Sequence, residues 1–218
     1  AIDRRRAIAQ HFDALDALRR QVALARYHRD APAEIDSLNG LGRILAARDG
    51  GIPGAAQVYK EAFHVAQRVG SPECMTLSQD SLGQLALKQG DMDSAKRYLE
   101  GALFTSRQAA EPVRTAGAVN TLGDLHRLSG RYSEAWMAYN NAIRLSQNYD
   151  DRPNQFRAID GMIALTLAQR NLAQTETRLR ERLALAQALK NPHQALLTHQ
   201  ALGRFYDLLG HGEQAKRS

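Results

Sequence analysis

Small and large apolar residues alternate along this chain at intervals of four and three, and the same alternation returns with a period of roughly 40 residues, in the range of repeat architectures. Ala135, Tyr139 and Ala142 form one such set, Ala95, Leu99 and Ala102 a second, and Ala55, Tyr59 and Ala62 a third. These intervals place each set on one face of a helix. A second series, Leu41-Gly42, Leu82-Gly83, Leu122-Gly123, Met162-Ile163 and Leu202-Gly203, lies before or after these sets in the chain. Small residues facing large ones let two helices approach closely, so the two series predict the two halves of a packed helical hairpin. The punctuation keeps the same period. Pro32, Pro72, Pro112, Pro153 and Pro192 recur in step with it, and Gly50, Gly90, Gly130 and Gly210 fall between or after them. Proline suits a first helical turn, where its missing N–H has no intrahelical partner. Glycine suits the left-handed residue that ends a helix. Each unit is therefore predicted to hold a helix A opening at the proline and a helix B following the glycine.

In the unit from Pro112 to Asp151, helix A is predicted to run to about Ser129, with Gly130 as the left-handed residue. Ser133 is the candidate N-cap of a helix B that runs to about Asn148. In the next unit Arg170 replaces the glycine, and the adjacent Asn171 is the candidate left-handed cap. A period of this length predicts a solenoid, because one such unit cannot bury its apolar face alone. The predicted fold class is an all-α superhelix of antiparallel helix pairs. A single domain spans 1–218, with a partial repeat at 1–31, repeats at 32–71, 72–111, 112–152 and 153–191, and an incomplete repeat at 192–218. A start without Met and an end at Ser218 inside an expected new helix predict a piece of a longer protein.

The fourth unit breaks the pattern. Ile163 stands where the other units have glycine, and Thr175 and Arg182 stand where Ala135 and Ala142 stood. Bulk at these three positions is expected to push the helices apart or shift their register, so that the array bends differently there. Arg178, Arg180 and Arg182 are expected on a solvated convex face.

Composition narrows the chemistry. Apolar residues at 44% suffice for a continuous core, while 29 basic and 23 acidic residues alternate along the helices and leave a net charge of +6. One denser basic patch, Arg4, Arg5, Arg6, Arg19, Arg20, Arg26 and Arg29, is read as solvating a terminal helix. Cys74 is the single cysteine, which excludes an intramolecular disulfide, and it is read as inert. With no long apolar run and no signal-peptide pattern, the chain is expected to be cytoplasmic and off the membrane. His193 and His199 are too far apart in sequence to match the spacing of three or four of a helical metal pair, and His126 is read as a satisfied packing histidine. Phosphate loops, nucleophile elbows and paired cysteines are missing, so neither an enzyme nor a cofactor is expected.

The Leu-Gly pair of helix A, together with Ala-(x3)-aromatic or Leu-(x2)-Ala of helix B, resembles the tetratricopeptide repeat in its longer form of about 40 residues. Similar repeats occur in kinesin light chains, in polarity and G-protein adaptors and in bacterial transcription regulators of the maltose-activator type. The resemblance covers about residues 32–218, and Phe12 to Arg29 resembles helix B of an earlier, incomplete repeat. In that family the face of helix A flanking the Leu lines a concave groove. The resemblance therefore implies a groove line of Asn39, Asp80, Asn120, Asp160 and Gln200, followed by Arg43, Gln84, Asp124, Ala164 and Arg204. One turn further come Ala46, Leu87, Arg127, Leu167 and Asp207.

A ladder of one amide or carboxylate per repeat suits the main chain of an extended peptide. Groove asparagines do this in the kinesin light chain and polarity-adaptor families, one position later than here. The plainer alternative is that the five positions are polar because they are wet. None of the five is Lys or Arg, so the carboxylate clamp of chaperone-binding members has no counterpart there. The resulting expectation is a binding module whose groove residues Asn39, Arg43, Asp80, Gln84, Asn120, Asp124, Arg127, Asp160, Gln200 and Arg204 hold a protein or peptide partner, with homo-oligomers formed through the array ends. The alternative is a sensor or regulatory domain of a larger bacterial signalling protein or transcription regulator. Nucleic acid is the weaker candidate partner, because helix A carries no regular two-residue code for bases.

Overall fold

The structure, a computed structural model, describes the backbone of residues 2–48 and 50–217 and the side chains of residues 14–48 and 50–210. Its elements are α1 (Ile2–His28), α2 (Ala31–Ala46), α3 (Ile52–Val69), α4 (Pro72–Gln89), α5 (Met92–Gln108), α6 (Pro112–Leu128), α7 (Tyr132–Asn148), α8 (Arg152–Ala168), α9 (Leu172–Ala188) and α10 (Pro192–Arg217). Among the described residues there is no strand. Each predicted helix A opens at its proline or at the residue just before it. The side chains of Arg4, Arg5 and Arg6 lie outside those described.

The connectors explain the period better than glycine does. A residue of positive φ recurs twice per repeat, as Arg29, Gly50, Gly70, Gly90, Ala110, Gly130, Asp150, Arg170 and Lys190. From Gly70 onward, the N–H that follows it reaches back into the last turn of the preceding helix, as in Ser71 to the Ala66 carbonyl at 2.9 Å and Asp151 to Ser146 at 2.8 Å. That same residue then caps the next helix. The side chains of Asp30, Ser71, Asp91, Asp151, Asn171 and Asn191 each accept from a backbone N–H in the first turn that follows. One connector thus closes one helix and opens another, satisfying orphan groups at both ends.

Two predicted caps are corrected by this geometry. Arg170 itself takes the left-handed conformation at φ 55°, while Asn171 at φ −88° is the N-cap of α9. Arg131, not Ser133, is the N-cap of α7. The fourth predicted glycine break is also overturned, since α10 continues as helix through Gly210.

Consecutive helices pack throughout, so α2/α3, α4/α5, α6/α7 and α8/α9 are hairpins, α1 takes the place of a preceding helix B and α10 that of a following helix A. The two layers differ. Helices A of neighbouring repeats touch, α2 with α4, α4 with α6 and α6 with α8, whereas no described helix B touches the next helix B. Closer spacing in one layer than in the other curves the array with the A helices inside.

The core is a string of small clusters, each shared by a hairpin and its neighbour, such as Ala135 and Tyr139 with Met162 and Leu165. The Leu-Gly expectation holds in three repeats and fails at Gly203, where an added Cβ would meet nothing within 4 Å. A Cβ on Gly42 would lie 2.5 Å from Tyr59, on Gly83 2.5 Å from Leu99, and on Gly123 2.5 Å from Tyr139. Gly161, just before Met162 and Ile163, presses on the same Tyr139 ring. The fourth unit therefore has its close-contact glycine, turned toward the preceding repeat.

Candidate functional site

The inner face is built from the A helices, and it does not expose the ladder uniformly. Asn39, Asp80 and Asn120 are buried, unlike the open groove line expected and unlike its plainer alternative of wet positions, while Asp160 and Gln200 are exposed. The reason is the seam between successive A helices, which covers the flank carrying the ladder in the first three repeats. Asn120 donates through Nδ2 to the Asn154 carbonyl of α8 at 3.0 Å. Its Oδ1 finds no hydrogen-bond donor, nor does either amide atom of Asn39 find a partner.

Asp80 is the electrostatic centre of the seam. One oxygen accepts from Gln84 Nε2 at 2.7 Å and stands 3.7 Å from the Arg157 guanidinium, while the other, Oδ1, has no partner. Burial raises its pKa, and Arg157, Thr121 and Gln84 only partly oppose that shift. Arg157 also donates to Thr121 Oγ1 at 2.5 Å, so one side chain on α8 crosses α6 and reaches α4.

The other predicted groove residues take varied places. Arg43 and Arg204 are exposed. Asp124 is half-buried, accepting from the Tyr139 hydroxyl at 2.7 Å and lying 3.5 Å from Arg127. Burial, with the Asp124 charge beside it, holds that hydroxyl well above its ordinary pKa. Arg127 is half-buried and its Nε is unpartnered. His126 is half-buried with Nδ1 unpartnered, so it is not the satisfied packing histidine expected, and burial lowers its pKa.

The largest departure is Arg182. Expected on a solvated convex face, it is only 8% exposed. It reaches from α9 to the inner layer, donating through Nε to Asp160 Oδ1 at 2.6 Å and through Nη2 to Asp160 Oδ2 at 3.4 Å. On the other side it meets α10, bonding the Gln194 carbonyl at 3.3 Å, Gln194 Oε1 at 3.0 Å and Thr198 Oγ1. Its guanidinium also sits 5.3 Å from the centre of the Phe156 ring. All five N–H donors are thereby used. Arg178 differs again, half-buried over the Trp136 ring at 5.0 Å.

Sequence reasoning missed Arg157, Asn154 and Gly161, whose roles depend on which A helix lies alongside. It flagged Arg182 as an anomaly, and the signal was sound: a long cation at a small-residue position that faces a neighbouring helix. Among the described residues no group of three metal-ligating side chains forms a site, and no helix is long and apolar enough to cross a membrane.

Paired helices, a shared inner layer and short connectors define an α-α solenoid. The array is similar to tetratricopeptide-type repeats: the tetratricopeptide repeat model matches residues 78–103, the last two thirds of α4 and roughly the first two thirds of α5. Solved structures agree on the fold. BtubC (BKLC) from P. vanneervenii superposes with a TM-score of 0.70 at 20% identity, over 95% of this chain and 90% of that one. TPR-like repeats of Podosopora anserina, described as those of a kinesin light chain, give 0.59 at 16% identity, over 86% and 92%. A Rap protein in complex with competence and sporulation factor gives 0.62 at 14% identity, over 93% of this chain but 60% of that protein. No curated protein matches the chain by sequence.

Proposed function

We propose that the chain is a non-catalytic protein-interaction module whose inner face holds an extended peptide segment or a partner domain. The observation that carries this reading is unused hydrogen-bonding capacity along the inner seam. Asn39, Asp80 Oδ1 and Asn120 Oδ1 lack partners in three successive A helices. Buried polar atoms are normally paired, so a row of unpaired ones at a fixed position is out of keeping with a purely structural role. Beside them Arg43 and Gln84, with Asp160, Gln200 and Arg204 further along, supply accessible donors and acceptors. Tetratricopeptide repeats generally bind proteins or peptides, and the similar Rap protein was solved with a bound factor.

Asp80 and Asn120 are unsuitable as test sites because both are buried, whereas Arg43 is exposed and Gln84 only half-buried. Arg43 and Gln84 are the better pair. A partner isolated with wild type is titrated against Arg43→Ala/Gln84→Ala and against Arg107→Ala, an exposed control on a B helix. The groove variant is expected to bind about 10-fold more weakly, each lost bond leaving a desolvated group unpaired. Equal affinities for wild type and groove variant would move the site elsewhere.

The second reading is a sensor or regulatory domain within a larger bacterial signalling protein or transcription regulator. The likeness to the Rap protein, solved in complex with competence and sporulation factor, supports it. The full-length sequence distinguishes the two: an attached DNA-binding or nucleotide-binding domain favours the regulator.

A further inference from the structure

A cavity of about 820 Å³ lies outside the inner face, in the furrow between α1 and α3, two neighbours of the outer layer that do not touch. The first turn of α2 forms its floor through Ala31 and Glu34. Its lining carries four cations, Arg26, Arg29, Lys60 and Arg68, against two carboxylates, Glu34 and Glu61.

The carboxylates engage only two of the cations. Buried Glu34 accepts from Arg26 Nε at 2.7 Å and stands 3.8 Å from Arg68 Nη2. Arg26 also bonds Glu61, so its guanidinium is clamped between both acids. Among the described residues, the exposed side chains of Arg29 and Lys60 make no hydrogen bond or ion pair. Asp30, next to Arg29, is turned onto the Ala33 N–H that it caps. The arginines expected only to solvate α1 thus include one clamp, Arg26, and one free donor, Arg29. The excess of positive charge is not a by-product of the repeat: Lys60, His64 and Arg68 on α3 are replaced 40 residues later by Glu100, Phe104 and Gln108 on α5.

We propose that this furrow binds the phosphate of a phosphoserine or phosphothreonine on a partner polypeptide. A phosphate monoester brings about −1.5 to −2 charge at neutral pH and three acceptor oxygens. Two uncommitted cations, Arg29 at the end of α1 and Lys60 on α3, meet that charge from opposite sides of the furrow. A carboxylate would bring a single charge and leave one cation unmatched. Walls that are mostly exposed enclose too little of a free small molecule, since sites for such ligands bury most of the ligand surface. A chain laid along the furrow instead has Val65 and Val69 for its aliphatic atoms and presents its phosphate to the rim. This site lies on the outer layer, goes beyond the groove reading and does not depend on it.

The test uses the whole chain at low salt and labelled alanine-rich decapeptides that differ only in a central serine, phosphoserine or glutamate, followed by fluorescence anisotropy. The phosphoserine peptide is expected to bind about 10-fold or more tightly than the serine peptide, and several-fold more tightly than the glutamate peptide. Arg29→Gln and Lys60→Gln remove side chains without partners, so helical circular dichroism should not change. Each should lose several-fold of the phosphoserine preference, and the double variant most of it, while Arg107→Gln on α5 should lose none. Equal binding of the phosphoserine peptide and either of the others, or a preference that survives the double variant, would overturn the site. Inorganic phosphate and ATP serve as competitors, and phosphatidylserine vesicles are sedimented with the protein. A free phosphate compound that binds as tightly as the phosphopeptide, or vesicle binding that needs Arg29 and Lys60 without any phosphopeptide preference, would overturn the polypeptide ligand.

Discussion

Ala142 in the third repeat and Arg182 in the fourth occupy the same place on helix B. Around Ala142 the layers close. Tyr139, one turn before it, is wedged between Gly123 of its own hairpin and Gly161 of the next, and α6 meets α8 along the inner face. Around Arg182 they part. The α8/α9 pairing is looser than that of α6/α7, and α8 no longer reaches α10. In place of backbone contact, one guanidinium bridges Asp160 on α8 to Gln194 and Thr198 on α10. A methyl at this position lets helices meet, whereas an arginine separates them by a fixed amount and replaces apolar contact with hydrogen bonds. The two repeats therefore differ in the means of cohesion, and the difference opens a cleft.

This contrast can be broken most severely in the third repeat. Gly123→Leu forces a side chain into the Tyr139 ring, where even a Cβ would lie at 2.5 Å, and should destabilise the array by about 3 kcal/mol or more, measured by urea unfolding. A variant that unfolds at the same urea concentration as wild type would refute the closed packing assigned there.

Removing the bridge in the fourth repeat should cost somewhat less. Arg182→Ala leaves Thr198 and Gln194 short of donors and vacates a buried volume, but Asp160 is half-exposed and regains water, so a loss of about 2 kcal/mol is expected. The same unfolding measurement checks it. A variant as stable as wild type would mean that the bridge is incidental and that α8 and α10 are held apart by other contacts.

The smallest effects lie at the turns that end helix A in the two repeats, and they should have opposite signs. Gly130 and Arg170 share the left-handed conformation, at φ 73° and 55°. Gly130→Ala should lose about 1 kcal/mol, and Arg170→Gly should gain slightly less, because only glycine adopts this conformation freely. Parallel melting curves decide it; a change of the same sign in both would show that side-chain contacts, not backbone conformation, set the turn.

Much of the fold was legible because its signals are local. A proline in a first turn, a left-handed glycine and a small-large alternation each act within one helix or one hairpin. The caps were less legible, since Asn171 has both a left-handed and an N-capping role open to it, and only the closing bond to Thr166 selects the second. The site was legible in part. Arg43 and Arg204 are exposed as expected, but the ladder positions Asn39, Asp80 and Asn120 are covered by the next A helix, whose proximity depends on the curvature of the whole array. Arg182 shows the same limit from the other side: its type and position marked a disturbance, while the direction it points is set by the gap between α8 and α10.

Arg157 gives the array a property that stacking alone would not. A solenoid whose units contact only their neighbours unravels from its ends, one unit at a time, with cooperativity limited to adjacent interfaces. A single side chain on α8 that engages Thr121 on α6 and Asp80 on α4 adds a tie across three repeats. Loss of α8 removes both contacts, and loss of α6 or α4 removes one of them, so the stabilities of the three central repeats are coupled beyond nearest neighbours. The α10 end, with no inner-layer neighbour, lies outside that coupling.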